Sequence, residues 1–155
     1  MLFIITSIII ALAIFILMPK KISYIEMYTV SLFSIVFQLL TDILLEFKYN
    51  LYGYFNEGVD YRTLWIVFGI YPLFTMIFLN YFPYDKRHIV KVGYIIAWTI
   101  FALIYEYISV QVGTFYYNSW KLLYSALTYP IVYLVIYYNF IIIRKLIRLY
   151  KEKNV

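Results

Sequence analysis

Five apolar runs, each close to the twenty or so residues that carry a helix across a bilayer core of about 30 Å, leave this chain of 155 residues few ways to fold. They cover residues 2–18, 22–45, 63–82, 89–110 and 122–143. Backbone N–H and C=O groups in lipid have no water to bond, so each run is expected to close its hydrogen bonds within its own helix. The predicted fold is therefore all-α: a polytopic bundle of five transmembrane helices, one integral membrane domain over residues 1–155. Only 14% of the residues are charged, against about 25% in soluble domains. That leaves too little polar surface for a soluble enzyme or a nucleic-acid module. The first run has no basic residue ahead of Leu2 and is followed by Pro19-Lys20-Lys21. It reads as a retained helix, because a secretory signal carries its positive charge before the apolar stretch and small residues after it.

Lysine and arginine fall unevenly on the two sides of such a bundle. Lys20, Lys21, Lys86, Arg87, Lys91, Arg144, Lys145, Arg148, Lys151 and Lys153 share one side; Lys48, Arg62 and Lys121 share the other. Basic residues accumulate on cytoplasmic loops, so the first side is expected inside, with the N-terminus outside and the C-terminus inside. Acidic residues sharpen the contrast, since Asp42, Glu46, Glu57, Asp60 and Glu106 all belong to the outer side. Residues 144–155 are expected to form a basic cytoplasmic tail extending the fifth helix into the headgroup layer. The partner implied is the lipid bilayer with its anionic inner-leaflet lipids, not nucleic acid.

The absence of cysteine excludes disulfides and thiolate chemistry. A single histidine, His88, sits in a short basic connection, so no His pair is present for a metal site or a proton relay. The chemistry left is that of acidic groups inside apolar runs, where a charge costs about 2.5–3.5 kcal/mol on insertion scales and turns toward a partner. Gln38 and Asp42 fall on one face of the second helix with Glu46 beside them. Glu106 is the in-span carboxylate of the fourth helix, Lys121 and Ser125 open the fifth, and Arg62 opens the third. These residues predict a polar pocket open to the outside, rimmed by Asn118, Trp120 and Tyr124. The competing reading is structural, with Asp42 and Glu106 locking helices together through Lys121, Arg62 or tyrosine hydroxyls. No GxSxG, HExxH or Walker pattern occurs and Asp42 is the one in-span aspartate, so neither catalysis nor a cofactor is expected.

A weak internal repeat accompanies these features. At an offset of 60, Glu46, Gly53 and Phe55 match Glu106, Gly113 and Phe115, and Tyr71-Pro72 is mirrored by Tyr129-Pro130. Each unit reads as an outward helix ending in Glu, an aromatic turn, and a returning helix interrupted by proline about two turns in.

The stretch Tyr105-Glu106-Tyr107, Gly113-Thr-Phe-Tyr-Tyr-Asn118-Ser-Trp120-Lys121 and Tyr129-Pro130, with Asp42, Tyr71-Pro72 and Asn80, resembles a family of small multi-helix membrane proteins of spore-forming, low-GC Gram-positive bacteria. The resemblance implies a multi-pass protein of a bacterial plasma membrane in which Glu106, Asn118 and Trp120 act as a unit. It implies no activity. The family's Glu is often followed by Trp, whereas Tyr107 stands here.

The expected function is that of a non-enzymatic membrane protein, an accessory or structural subunit with an outward-facing polar pocket. A second copy of the chain or another membrane protein is its expected lateral partner. The alternative is a small solute, cation or proton transporter or channel that uses the in-membrane carboxylates.

Overall fold

Proline sets the first boundary of the fold. Helix α1 (Leu2–Leu17) ends at Met18, whose backbone is extended (φ −68°, ψ 142°), as steric conflict with the ring of a following proline requires. The Lys20 ammonium returns to the α1 carbonyls of Phe15 and Ile16 and sits over the Phe15 ring. A second helix, α2 (Tyr24–Lys48), begins with a capping box in which Ser23 and Glu26 satisfy one another's free backbone N–H groups. The computed structural model describes residues 1–153.

Two stretches widen to i→i+5 hydrogen bonding. One is the end of α2, Ile43–Lys48, where the Tyr49 N–H reaches the Leu44 carbonyl at 3.0 Å. The other is Ile66–Ile70 in α3 (Thr63–Tyr81), immediately before Tyr71-Pro72. Pro72 has no N–H to offer the previous turn and its ring crowds that turn's carbonyl, and the wider coil relieves both problems. Helix α3 ends as α1 does, with Phe82 extended ahead of Pro83. Helix α4 (His88–Gln111) stops at Gly113, which holds the left-handed backbone that closes helices (φ 69°). Helix α5 (Leu122–Lys153) passes through Pro130 and continues unbroken over residues 144–153, expected as the tail. All four of α2 to α5 are long and apolar enough to cross a membrane; α1, at 16 residues, is shorter.

The sequence reading provided only turns between α2 and α3 and between α4 and α5. The structure places a strand in each, β1 (Tyr52–Tyr54) and β2 (Phe115–Tyr117), paired antiparallel with Tyr52 opposite Tyr117 and Tyr54 opposite Phe115. Gly53 faces Tyr116, and a Cβ at Gly53 would lie inside the Tyr116 side chain. Strand β1 is bracketed by Asn50 and Phe55, both with positive φ. Such a backbone is easy for Asn and costly for Phe; the Phe55 N–H bonds the Thr114 carbonyl, and the Arg62 guanidinium covers its ring at 4.5 Å.

Helix α3 is the most buried of the four long helices, with 56% of its apolar window inside the protein. Its neighbours are α1 and α2, with α5 behind, and α1 runs parallel to it. Ile4 joins Tyr52, Tyr54, Ile66 and Ile70 beneath the strands, while Met18 and Ala11 pack on Leu73 and Ile77. At the end away from the strands, the Asn80 side chain is fully buried and bonds both the Pro19 carbonyl and the Lys21 N–H. The same end is filled with rings: Phe78 contacts Phe82, Tyr94, Trp98 and Tyr133, and Phe82 stacks on Tyr137.

Phe78 is fully buried at the centre of this packing. Phe78→Ala is expected to cost about 3–5 kcal/mol of unfolding free energy in detergent titrations, whereas the exposed Ile100 changes stability by no more than about 0.5 kcal/mol when cut to Ala.

Candidate functional site

The strand end of the bundle holds three buried carboxylates, Asp42, Glu46 and Glu106, each less than a tenth exposed. Their partners are hydroxyls and amides. Asp42 Oδ1 accepts hydrogen bonds from Gln38 Nε2 (2.7 Å), from the Tyr52 hydroxyl (3.0 Å) and, more weakly, from the Tyr54 hydroxyl (3.4 Å). Glu106 Oε1 accepts from the Tyr117 hydroxyl (2.5 Å) and the Ser125 hydroxyl (2.7 Å), and Oε2 accepts from the Tyr129 hydroxyl. The polarity of one link is fixed by chemistry. An indole N–H can only donate, so Ser125 accepts from Trp120 Nε1 at 2.8 Å and turns its own hydrogen to Glu106. Burial, followed by the hydrogen bond to Glu106, raises the Tyr117 hydroxyl well above the ordinary tyrosine range and keeps it a donor.

Secondary structure delivers these groups. Alternation along β1 puts Tyr52 and Tyr54 on one face, and both send their hydroxyls down to Asp42. From β2, Tyr117 reaches Glu106 on α4. The two tyrosines that precede helix prolines complete the clusters: Tyr71 shares a 2.9 Å contact with the Tyr54 hydroxyl, and Tyr129 bonds Glu106. Asn118 sets the position of Trp120. The backbone N–H groups of Asn118, Ser119 and Trp120 converge on the Leu51 carbonyl at 2.9–3.0 Å, and the Asn118 side chain bonds Asn50 at 2.7 Å. Tyr124 meets Trp120 edge-on.

The repeat takes a different register from the one the sequence suggested. Asp42, not Glu46, is the counterpart of Glu106, since each accepts a hydroxyl from a strand tyrosine, Tyr54 or Tyr117, and lies in a cluster completed by a Tyr-Pro tyrosine, Tyr71 or Tyr129. Glu46 instead leaves Oε2 without a hydrogen-bond partner among the described residues.

Beneath the strands lies a cavity of about 220 Å³, bounded by residues of all four long helices and by Ile4 of α1. Gln38, Glu106, Trp120 and Ser125 line it. Most of its wall is apolar and aromatic, including Tyr52, Tyr71, Phe74, Phe101, Tyr105 and Tyr133, so the hydrated polar depression expected from the sequence is a mainly aromatic chamber with a few polar groups. Its floor at Tyr133 and Ile136 meets the packed rings around Phe78. Of the other predicted members, Asp42, Glu46, Asn118 and Tyr124 lie outside the chamber's lining, and Arg62 and Lys121 stand apart from the buried carboxylates as well. Arg62 forks onto Asp60 in the β1–α3 connection (2.5–3.0 Å), and Lys121 is exposed at the start of α5. The two ion pairs among the described residues are Asp60–Arg62 and Glu26–Arg144, so Asp42, Glu46 and Glu106 are not held by salt bridges. Sequence reasoning missed Tyr52, Tyr54, Tyr117 and the hydroxyl roles of Tyr71 and Tyr129. The signal available was the tyrosine eleven or twelve residues beyond each of Glu106 and Asp42.

No protein-family model, no curated protein and no solved structure matches the chain.

The Arg62 fork holds the Asp60 carboxyl down at about 2, against an ordinary value of 3.8. A depressed folded-state value means the pairing contributes fully above the ordinary value and is lost as pH falls toward 2. Carboxyl NMR is expected to place the Asp60 midpoint near 2 in the native protein and close to 4 in Arg62→Gln.

Proposed function

We propose that the chain is a multi-pass membrane protein that binds a small ligand in the chamber beside Glu106, without catalysing a reaction. The observation that carries this reading is the chamber itself, together with a buried carboxylate whose hydrogen bonds come only from neutral groups. A purely structural carboxylate is expected to be packed around; Glu106 borders open space on one side and a preorganised hydroxyl cluster on the other. Preformed, mostly apolar cavities with a few placed polar groups are the usual form of small-molecule sites.

All five helices cross the bilayer in this proposal, α1 included, because its ends reach the same two levels as α3. Exposed Ile9, Ile16, Leu40, Ile104, Leu127 and Ile142 form the lipid-facing surface. The strand end faces outward and the basic end inward, in a bacterial plasma membrane, on the strength of ten basic residues against three. The family resemblance adds Glu106, Asn118 and Trp120 as one unit, the same three that the Leu51 carbonyl and Ser125 connect. Such a protein suits an accessory subunit that passes its occupancy to a lateral partner. The transporter reading is weaker, because the rings around Phe78 fill the end where a second opening is needed.

Two measurements test this. Single cysteines at Lys121 and Arg148 are expected to react with an impermeant thiol reagent in intact cells and only after cell opening, respectively; the opposite pattern inverts the proposed orientation. Ala102→Phe places a ring in the chamber. Native mass spectrometry of protein taken directly from its membrane is expected to show a bound small molecule in the wild type and none in Ala102→Phe. Identical spectra would sink the binding role.

A further inference from the structure

We infer that the ligand is a small lipophilic ammonium ion, its N–H directed at Glu106 and its charge surrounded by aromatic faces. This rests on the binding role proposed for the chamber and adds the chemical class of what enters it.

Charge is the first argument. Glu106 lines the chamber and is buried, and among the described residues no Lys, Arg or His pairs with it. Asp42 and Glu46, buried at the same end without lining the chamber, add acidic groups that no Lys, Arg or His pairs with among the described residues. Hydroxyl donors orient a carboxylate but bring no positive charge, and in a weakly polarisable interior the residual attraction for a cation is large. The Tyr71 hydroxyl, in contact with Tyr54 of the Asp42 cluster, lines the same chamber as Glu106.

The wall is the second. Tyr52, Tyr71, Phe74, Tyr105, Trp120 and Tyr129 contribute rings, whose negative faces attract organic cations and do so more strongly where water is excluded. A metal ion is a poorer complement. Hard cations demand six or more oxygen ligands, and among the described residues no cluster of three or more Asp, Glu, His or Cys is placed to hold one.

Size and geometry complete the description. An apolar cavity of about 150 Å³ admits benzene, so a chamber of about 220 Å³ accommodates one ring with a short amino side chain. An ionised carboxylate offers about four acceptor positions. Three on Glu106 are taken by Tyr117, Ser125 and Tyr129, which leaves one for an ammonium N–H.

The test uses the full chain in lipid nanodiscs at pH 7, read by Trp fluorescence and by thermal unfolding. The probes are phenethylamine, its neutral isostere 2-phenylethanol, and potassium chloride. The amine is expected to bind at least about tenfold more tightly than the alcohol, the scale of a desolvated cation–π contact. Glu106→Gln is expected to abolish the amine's advantage over the alcohol, bringing the ratio of their affinities close to one. The amine-to-alcohol ratio is measured on the wild type, so it decides the matter even where Glu106→Gln does not fold. Equal or tighter binding of the alcohol overturns the ammonium assignment while leaving a ligand chamber in place. Stabilisation by potassium chloride equal to that by the amine overturns it in favour of an inorganic cation. Failure of both organic probes to bind wild type, with Ala102→Phe indistinguishable from it, removes the chamber's binding role as well.

Discussion

A carboxylate buried without a counter-charge must have its hydrogen bonds supplied from elsewhere, and the strand end of this protein is organised around that demand at Glu106. Three hydroxyls reach it from three different places: Tyr117 on β2, and Ser125 and Tyr129 on successive turns of α5. Each needs its backbone fixed. The pairing of β1 with β2 fixes Tyr117, and the convergence of three N–H groups on the Leu51 carbonyl fixes Trp120, which polarises Ser125. A short sheet in an otherwise helical chain is thereby explained, because two connecting loops without mutual hydrogen bonds would leave the donors loose.

The same device is used twice. On α2 and α3 the acid is Asp42 and the tyrosines are Tyr52, Tyr54 and Tyr71; on α4 and α5 they are Glu106, Tyr117 and Tyr129. The antiparallel register puts Tyr54 opposite Phe115 and Tyr52 opposite Tyr117, the arrangement of two like strands about a local two-fold axis. The halves differ where it matters for chemistry. Asp42 retains an oxygen with no partner, whereas both oxygens of Glu106 are engaged.

Helices were legible in the sequence because lipid-length apolar runs and flanking prolines are local signals. The stops at Pro19 and Pro83 follow directly from the chain, and Ser23-Glu26 is a recognisable start. The in-span acids were legible too, since a carboxylate among aliphatic residues is conspicuous. Their partners were not. Tyrosine hydroxyls stood among the candidate partners, but with 20 tyrosines in the chain nothing local separates Tyr117 from the exposed Tyr107. Which hydroxyl reaches which acid depends on the pairing of two strands of three residues each, a contact between segments about sixty positions apart. Arg62 and Lys121 misled for a related reason. Proximity along a helix entrance suggested ion pairs across it, whereas Arg62 is two residues from Asp60 and meets it at almost no entropic cost of loop closure.

The rings packed around Phe78 close the chamber at the end away from the strands, and a vessel with a floor behaves differently from a passage. If the proposed ligand enters at the strand end, it leaves by the same route, and its occupancy follows the concentration on that side alone.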